Sequence, residues 1–142
     1  MYIIIQHSHS GIMWLVMITL ILSVLFSFLG FIRNNKSGYP NLFKLYYATK
    51  LLVYIQFILG VILLFVSPKI HYGAGFMKDS DLRFYGMEHP LMMLIAVGLI
   101  AFGLFKSKKK PIDTKKNKTV FIYYTIALVV IVLMIPWKAV LS

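Results

Sequence analysis

Cysteine is absent from the 142-residue chain. Its absence excludes disulfide bonds, thiolate metal sites, iron–sulfur clusters and the CxxCH attachment of a covalent haem. Acidic residues are scarce, with four Asp and Glu against fifteen Lys and Arg, and charged residues make up only 13% of the chain. Soluble domains typically contain about 25% charged residues. The scarcity of charge therefore argues against a soluble enzyme, a disordered chain and a free-standing nucleic-acid-binding protein.

Apolar residues, in contrast, make up 60% of the chain and are concentrated in four long stretches. A helix needs about 20 residues to cross the hydrocarbon core of a bilayer. The stretches that meet this length lie at about residues 2–32, 45–66, 82–105 and 119–137, and none has a Lys, Arg or Asp near its centre. The sequence predicts an all-α fold, an integral membrane four-helix bundle formed by a single domain over residues 1–142.

The basic residues predict the orientation of this bundle. Eleven of the fifteen lie in segments 33–50 and 106–118, with Asp113 as the only acid there. Basic loops face the cytoplasm, so both termini are expected outside, in the periplasm of a bacterial inner membrane. The nominal charge is then +10 inside and +1 outside. A lysine run of this kind is typical of a topology signal and of contact with anionic lipid, and does not favour a nucleic-acid partner.

The four histidines, His7, His9, His71 and His89, all fall in the predicted external half. If the first helix begins near Tyr2, His9 lies about 10 Å inside its end at 1.5 Å per residue. If Asp79 or Ser80 caps a helix that begins at Asp81, His89 lies about 12 Å inside that helix. The two side chains are therefore expected at similar depth, on helices that begin on the same side.

The neighbours of these histidines suggest which of them face inward. His7 and His9 are two residues apart and point to opposite faces of a helix. We expect His9 to be the inward one, because the small residues Ser10 and Gly11 follow it and allow close approach. His7 and His71 are expected at the surface. Pro90 is expected to kink its helix and to free a backbone carbonyl near Gly86.

Two facing imidazoles in an apolar bundle suit a six-coordinate b-type haem, with His9 and His89 as ligands of the iron. Arg83 is the best candidate for neutralising the haem propionates. Trp14 and Gly11 lie in the same external part of the bundle and are further candidates for contact with the haem. Two alternatives remain open from the residues alone. His9 and His89 can make interhelical hydrogen bonds without any ligand, and Arg83 can extend to lipid headgroups.

Other features carry weaker hypotheses. Copper could use the four histidines with Met77 or Met87, although no two histidines are four residues apart and no two methionines are two apart. Zinc chemistry would leave Glu88 as the only nearby base. Gln56 can bond a histidine, a quinone or a neighbouring helix. The small residues Thr19, Ser23, Ser27 and Gly30 form a stripe on the first span, which Gly60, Gly98 and Gly103 are expected to receive in close packing.

The sequence also resembles a known group of proteins. The resemblance is carried by residues 7–11, 14–16, 56, 60, 65–69, 73–80, 83–84, 88–92 and 135–137. These blocks are similar to those of small four-span bacterial inner-membrane proteins described as cytochrome b-like. The resemblance covers nearly the whole chain and implies a four-helix bundle with haem b. Some members carry a further histidine in the second span, where this chain has Tyr54, and its loss argues against a second haem.

The predicted function is therefore electron transfer by a membrane protein that binds one haem b near the periplasmic side. One haem on one side cannot carry electrons across the bilayer, so a quinol or a respiratory complex is expected as partner. The alternative is a non-catalytic small subunit or assembly factor of such a complex. A stand-alone enzyme is less favoured, a transporter is disfavoured because no span has a central acid, and a homo-oligomer is left open.

Overall fold

The computed structural model describes residues 2–32, 42–68 and 70–137. Four long helices dominate these ranges, and no strand occurs in them. They are α1 (Tyr2–Ile32), α2 (Leu42–Val66), α3 (Ser80–Lys108) and α4 (Asp113–Met134). All four are long and apolar enough to cross a membrane. The all-α prediction and the four spans are confirmed at this level, whereas the side on which the termini lie stays a prediction.

The helix ends follow local chemistry. The Asp79 carboxylate accepts hydrogen bonds from the backbone N–H groups of Asp81 and Leu82, at 3.0 and 3.2 Å, and so caps the start of α3. The predicted cap is therefore confirmed. Helix α2 ends at Val66, just before Ser67 and Pro68, because proline cannot donate to the helical hydrogen-bond ladder.

Three of the predicted spans are shorter or longer than the helices that form. Helix α2 begins at Leu42, α3 extends to Lys108, and α4 covers 113–134 instead of 119–137. Lysines are good helix formers, so helices continue beyond the part that a bilayer core would cover. The segment 34–40, whose Asn, Ser, Gly and Pro residues are typical of a turn, lies outside the described residues, as do Arg33, Lys69 and Lys138.

The four helices pack as a ring. Helix α1 packs against α2 and α4, and α3 packs against α4 and more sparsely against α2, so α1 and α3 are diagonally opposite. Neighbouring helices are antiparallel, since His9 near the start of α1 contacts His89 near the start of α3, and His89 contacts Met134 at the end of α4. The start of α1, the end of α2, the start of α3 and the end of α4 therefore share one end, which contains His9 and His89 and which we call the histidine end. The lysine end contains Lys50, Lys106 and Lys108.

Packing is tightest toward the lysine end. Tyr46 and Tyr124 are completely buried there. The Tyr46 hydroxyl donates to Asn117 Oδ1 at 2.8 Å, and the Tyr124 hydroxyl donates to the Tyr46 carbonyl at 3.0 Å. On α2, Leu42, Tyr46, Thr49 and Val53 are buried, but no residue of 54–66 is. Helix α2 is consequently less buried at the histidine end than at the lysine end.

The small-residue stripe on α1 packs inward, but its expected partners are wrong. Ser23 hydrogen-bonds Thr49 of α2 at 2.9 Å, and Gly30 faces Asn117 of α4. The three glycines proposed to receive the stripe do something else. Gly60 faces His9, Gly103 faces Tyr123, and a Cβ at Gly98 would have nothing within 4 Å. Gly98 and Gly103 do not receive the stripe because it faces α2 and α4, and not the diagonal helix α3. Gly60 is on α2 but lies at the level of His9, nearer the histidine end than the stripe.

Candidate functional site

His9 and His89 meet in the interior of the histidine end. Their ring centroids are 6.5 Å apart and the ring planes are inclined at 79°. Both residues are largely shielded, neither fully buried nor exposed. Since α1 and α3 are diagonal in the ring of helices, the two side chains face each other across the bundle axis. The sequence argument placed these two histidines at similar depth, and the structure brings them together.

His9 is held by α2. Gln56 donates from Nε2 to the His9 backbone carbonyl at 2.7 Å. The His9 ring lies against Gly60, where a Cβ would come within 3.2 Å of its Cε1 atom. Two polar atoms remain buried here with no hydrogen-bond partner among the described residues, His9 Nδ1 and Gln56 Oε1. Buried polar atoms of this kind are costly unless they are satisfied, which makes the surroundings of His9 a candidate ligand site.

His89 is held by the end of α4. Its Nδ1 atom lies 2.8 Å from the Met134 backbone carbonyl. A carbonyl oxygen only accepts hydrogen bonds, so Nδ1 carries the proton and Nε2 keeps its lone pair. Met134 is the last residue of α4, where carbonyls lack helical partners. This bond therefore completes the helix end and at the same time fixes the histidine tautomer that can ligate a metal through Nε2.

The backbone before His89 is distorted. Residues Phe84–Glu88 form a π-helical turn, in which the His89 N–H donates to the Phe84 carbonyl five residues earlier. Pro90 has no N–H for the carbonyl four residues before it, that of Gly86. The Tyr72 hydroxyl donates to this Gly86 carbonyl at 2.8 Å. The freed carbonyl predicted near Gly86 is thus found, with a partner from the loop that the sequence argument missed.

Arg83 lies at the rim of the site. Its Nη1 atom donates to the Met77 carbonyl at 3.0 Å, and its Nε atom lies 3.6 Å from a Glu88 carboxylate oxygen. The Arg83 side chain is 35% accessible to solvent and the Glu88 side chain is 42% accessible. An exposed ion pair of this kind is weak, so the guanidinium remains accessible to another anion.

Trp14 packs against another tryptophan, and Gly11 is exposed. The Trp14 ring packs edge-on against Trp137, with centroids 6.5 Å apart, and 46% of Trp14 is exposed. Gly11 is exposed, and a Cβ there would meet nothing within 4 Å. Ser10 is also exposed. The inward position of His9 is therefore as expected, but the glycine that makes room for its ring is Gly60 and not Gly11.

His7 and His71 are exposed, as expected for surface histidines. No group of three or more His, Cys, Asp or Glu residues that could hold a metal ion occurs in the described residues. A bare copper or zinc centre, which needs three or more protein ligands, thus finds no support there. In a six-coordinate haem the macrocycle supplies four of the six ligands, so two imidazoles are sufficient.

The spacing of the rings fits this requirement. A metal bound between two imidazoles, at about 2 Å from each nitrogen and with about 1 Å from nitrogen to ring centre, would place the two ring centres about 6 Å apart. The observed centroid separation of 6.5 Å agrees. Imidazoles rotate about their metal–nitrogen bonds, so the inclined ring planes are compatible with this arrangement. The α2 residues 57–66 at this end are apolar apart from Gly60.

Comparison with known proteins adds nothing to this description, since no family model, no curated protein and no solved structure matches the chain.

Proposed function

We propose that the protein is a small b-type cytochrome of a bacterial inner membrane, which binds one haem between His9 and His89 for electron transfer. The observation that carries this proposal is the separation of 6.5 Å between two imidazoles on diagonal helices. A haem bound there supplies reversible one-electron transfer at its iron.

The residues around the pair have complementary roles in this proposal. Met134 accepts the Nδ1 proton of His89 and orients its Nε2 atom. Gln56 holds the His9 backbone, and both its Oε1 atom and His9 Nδ1 are buried without a hydrogen-bond partner among the described residues. The missing side chain of Gly60 leaves room for the His9 ring. Ligating histidines commonly donate their second N–H to an acceptor such as the Met134 carbonyl.

The rim residues are proposed to receive the polar edge of the haem. Arg83 presents a guanidinium that is only weakly paired with Glu88, and it can neutralise a propionate. Trp14 offers an indole at the same end of the bundle. Gly11 lies at the same end of the bundle, on the exposed face of α1.

The orientation is proposed from charge. The lysine end faces the cytoplasm and the histidine end faces the periplasm, in agreement with the positive-inside rule. A haem near one face cannot move electrons across the bilayer by itself. A quinol or a subunit of a respiratory complex is therefore proposed as the redox partner.

The test is the dithionite-reduced absorption spectrum of the protein, purified in mild detergent from cells with ample haem. We expect an α-band of the b type. We also expect the band to be lost in His9→Ala and in His89→Ala, because each removes an axial ligand, and to persist in His7→Ala, which removes an exposed histidine from the same helix as His9.

The same variants separate this function from that of a non-catalytic subunit or assembly factor. The hydrogen bonds to Met134 and from Gln56 are what a purely structural pair would also make. If the wild-type protein shows no α-band, and if His9→Ala/His89→Ala still assembles with its partner complex on blue-native gels, the structural role is favoured and the cytochrome proposal is abandoned.

A further inference from the structure

The lysine end carries an unusual convergence of positive charge on one aromatic ring. The Lys108 ammonium of α3 lies 4.2 Å from the centroid of the Tyr47 ring, and the Lys50 ammonium of α2 lies 5.1 Å from the same centroid. Lys50 also lies 5.8 Å from the Tyr54 ring. Other lysines of this end contact rings singly, but only Tyr47 receives two lysines from different helices in the described part of the chain.

Among the acids whose side chains the structure describes, none lies beside these two like charges. The acids whose side chains the structure describes are Asp79, Asp81 and Glu88, and all three lie at the opposite, histidine end. The Tyr47 ring attracts both ammonium groups through its π face, but it carries no net negative charge. Two ammonium groups beside one ring therefore leave a local positive potential that an anion can neutralise.

The surface below these lysines is apolar and faces outward from the bundle. Tyr47, Leu51, Tyr54 and Ile58 follow the i, i+4, i+7, i+11 spacing of one helix face. Tyr47 is 38% exposed, Leu51 59% and Ile58 58%. This stripe borders the α2–α3 junction, the most sparsely packed of the four neighbouring pairs. A lipid whose anionic headgroup contacts the lysines would therefore have its acyl chains along the stripe.

We propose that Lys50, Lys108 and Tyr47 form a binding site for the phosphate of one anionic phospholipid, whose acyl chains lie along Leu51 and Ile58. The two ammonium groups bind the phosphate, and tyrosine belongs at the level of the headgroups. Basic residues beside a membrane attract anionic lipids, but here two specific side chains from two helices define one position. The proposal does not depend on haem.

The experiment is native mass spectrometry of the detergent-purified protein with added phosphatidylglycerol. Arms with phosphatidylcholine of the same acyl chains and with inorganic phosphate distinguish the intact anionic lipid from its parts. We expect one phosphatidylglycerol to be retained. We expect Lys50→Gln/Lys108→Gln to weaken its binding by about tenfold or more, and each single variant to have an intermediate effect.

The matched control is Lys44→Gln/Lys115→Gln, which removes two exposed lysines from the same end. It should change binding by no more than about twofold if attraction is local. Equal losses in the two double variants would indicate a diffuse attraction, and unchanged binding in Lys50→Gln/Lys108→Gln would indicate no site. Either result, or equal retention of phosphatidylcholine or free phosphate, overturns the proposal. Lys108 is exposed, so its single variant remains informative if the double variant does not fold.

Discussion

Gly60 is the residue whose size most directly controls the position of His9. A glycine-to-alanine change inside a helix ordinarily stabilises by roughly 0.5–1 kcal/mol. At Gly60 the new methyl group would lie 3.2 Å from His9 Cε1, and overpacking costs about 1–3 kcal/mol. We therefore expect Gly60→Ala to lower the thermal unfolding midpoint in detergent.

The control for this change is Gly98→Ala, where the methyl group meets nothing within 4 Å. Gly98→Ala should raise the midpoint slightly. In a His9→Ala background, Gly60→Ala should become stabilising too, because the ring that it opposes is gone. Equal stabilisation by both alanines in the wild-type background would mean that the His9 ring does not pack on Gly60 as described.

At the scale of elements, the start of α3 depends on a bond from the preceding loop. The Tyr72 hydroxyl donates to the Gly86 carbonyl that Pro90 leaves without a helical donor, and the Tyr72 and Phe76 rings pack together beside Gly86. A neutral hydrogen bond contributes about 0.5–1.5 kcal/mol. Tyr72→Phe should destabilise by about that amount, seen as a lower unfolding midpoint.

Tyr85→Phe serves as the matched control, since it removes a hydroxyl from an exposed tyrosine of the same π-helical turn. Its effect on the midpoint should be smaller than that of Tyr72→Phe. In Pro90→Ala the new N–H can reach Gly86, so the cost of Tyr72→Phe should shrink there. An undiminished cost in that background would show that the Gly86 carbonyl is not the reason for the Tyr72 contribution.

The helices themselves could be predicted from the sequence because each is a long apolar stretch between turn or charge signals. The ends were less predictable. Helix α4 begins at Asp113 rather than near 119, since a lysine-rich turn forms helix as readily as an apolar one while lacking the apolar pattern used to find spans. Asp79 was recognisable as a cap because acidic side chains at that position accept the first free N–H groups.

The candidate site was predictable only in part. The similar depth of His9 and His89 follows from their distances along the helices, and these two histidines are in contact in the structure. Their partners do not follow from it. Gly60 belongs to another helix and the acceptor for His89 is a backbone atom of Met134, 45 positions away. Such contacts depend on which helices are neighbours and which are diagonal, and four similar apolar spans contain little information about that choice.

At the scale of the whole molecule, the proposed orientation places the two ends on opposite sides of the membrane. The chain has no cysteine, so single cysteines can be introduced without removing native ones. Met77 at the histidine end is 59% exposed, and Lys115 at the lysine end is exposed. A membrane-impermeant maleimide added to intact spheroplasts should label Met77→Cys and should leave Lys115→Cys unlabelled until the membrane is permeabilised.

The reverse labelling pattern would contradict the positive-inside assignment and would place the histidine pair near the cytoplasmic face. Labelling of both cysteines in intact spheroplasts would contradict a fixed topology. Either outcome would leave the His9–His89 contact itself unaffected, because that contact lies within one end of the bundle and depends on helix packing rather than on orientation.

The most direct measurement of the central claim is the low-temperature electron paramagnetic resonance spectrum of the oxidised, purified protein. Two imidazoles on one ferric haem give a low-spin signal, and we expect this signal with little high-spin iron. His9→Ala or His89→Ala should convert retained haem to a high-spin form, whereas His7→Ala should not. A wild-type protein with only high-spin haem, or with none, would contradict the claim that His9 and His89 bind one iron between them.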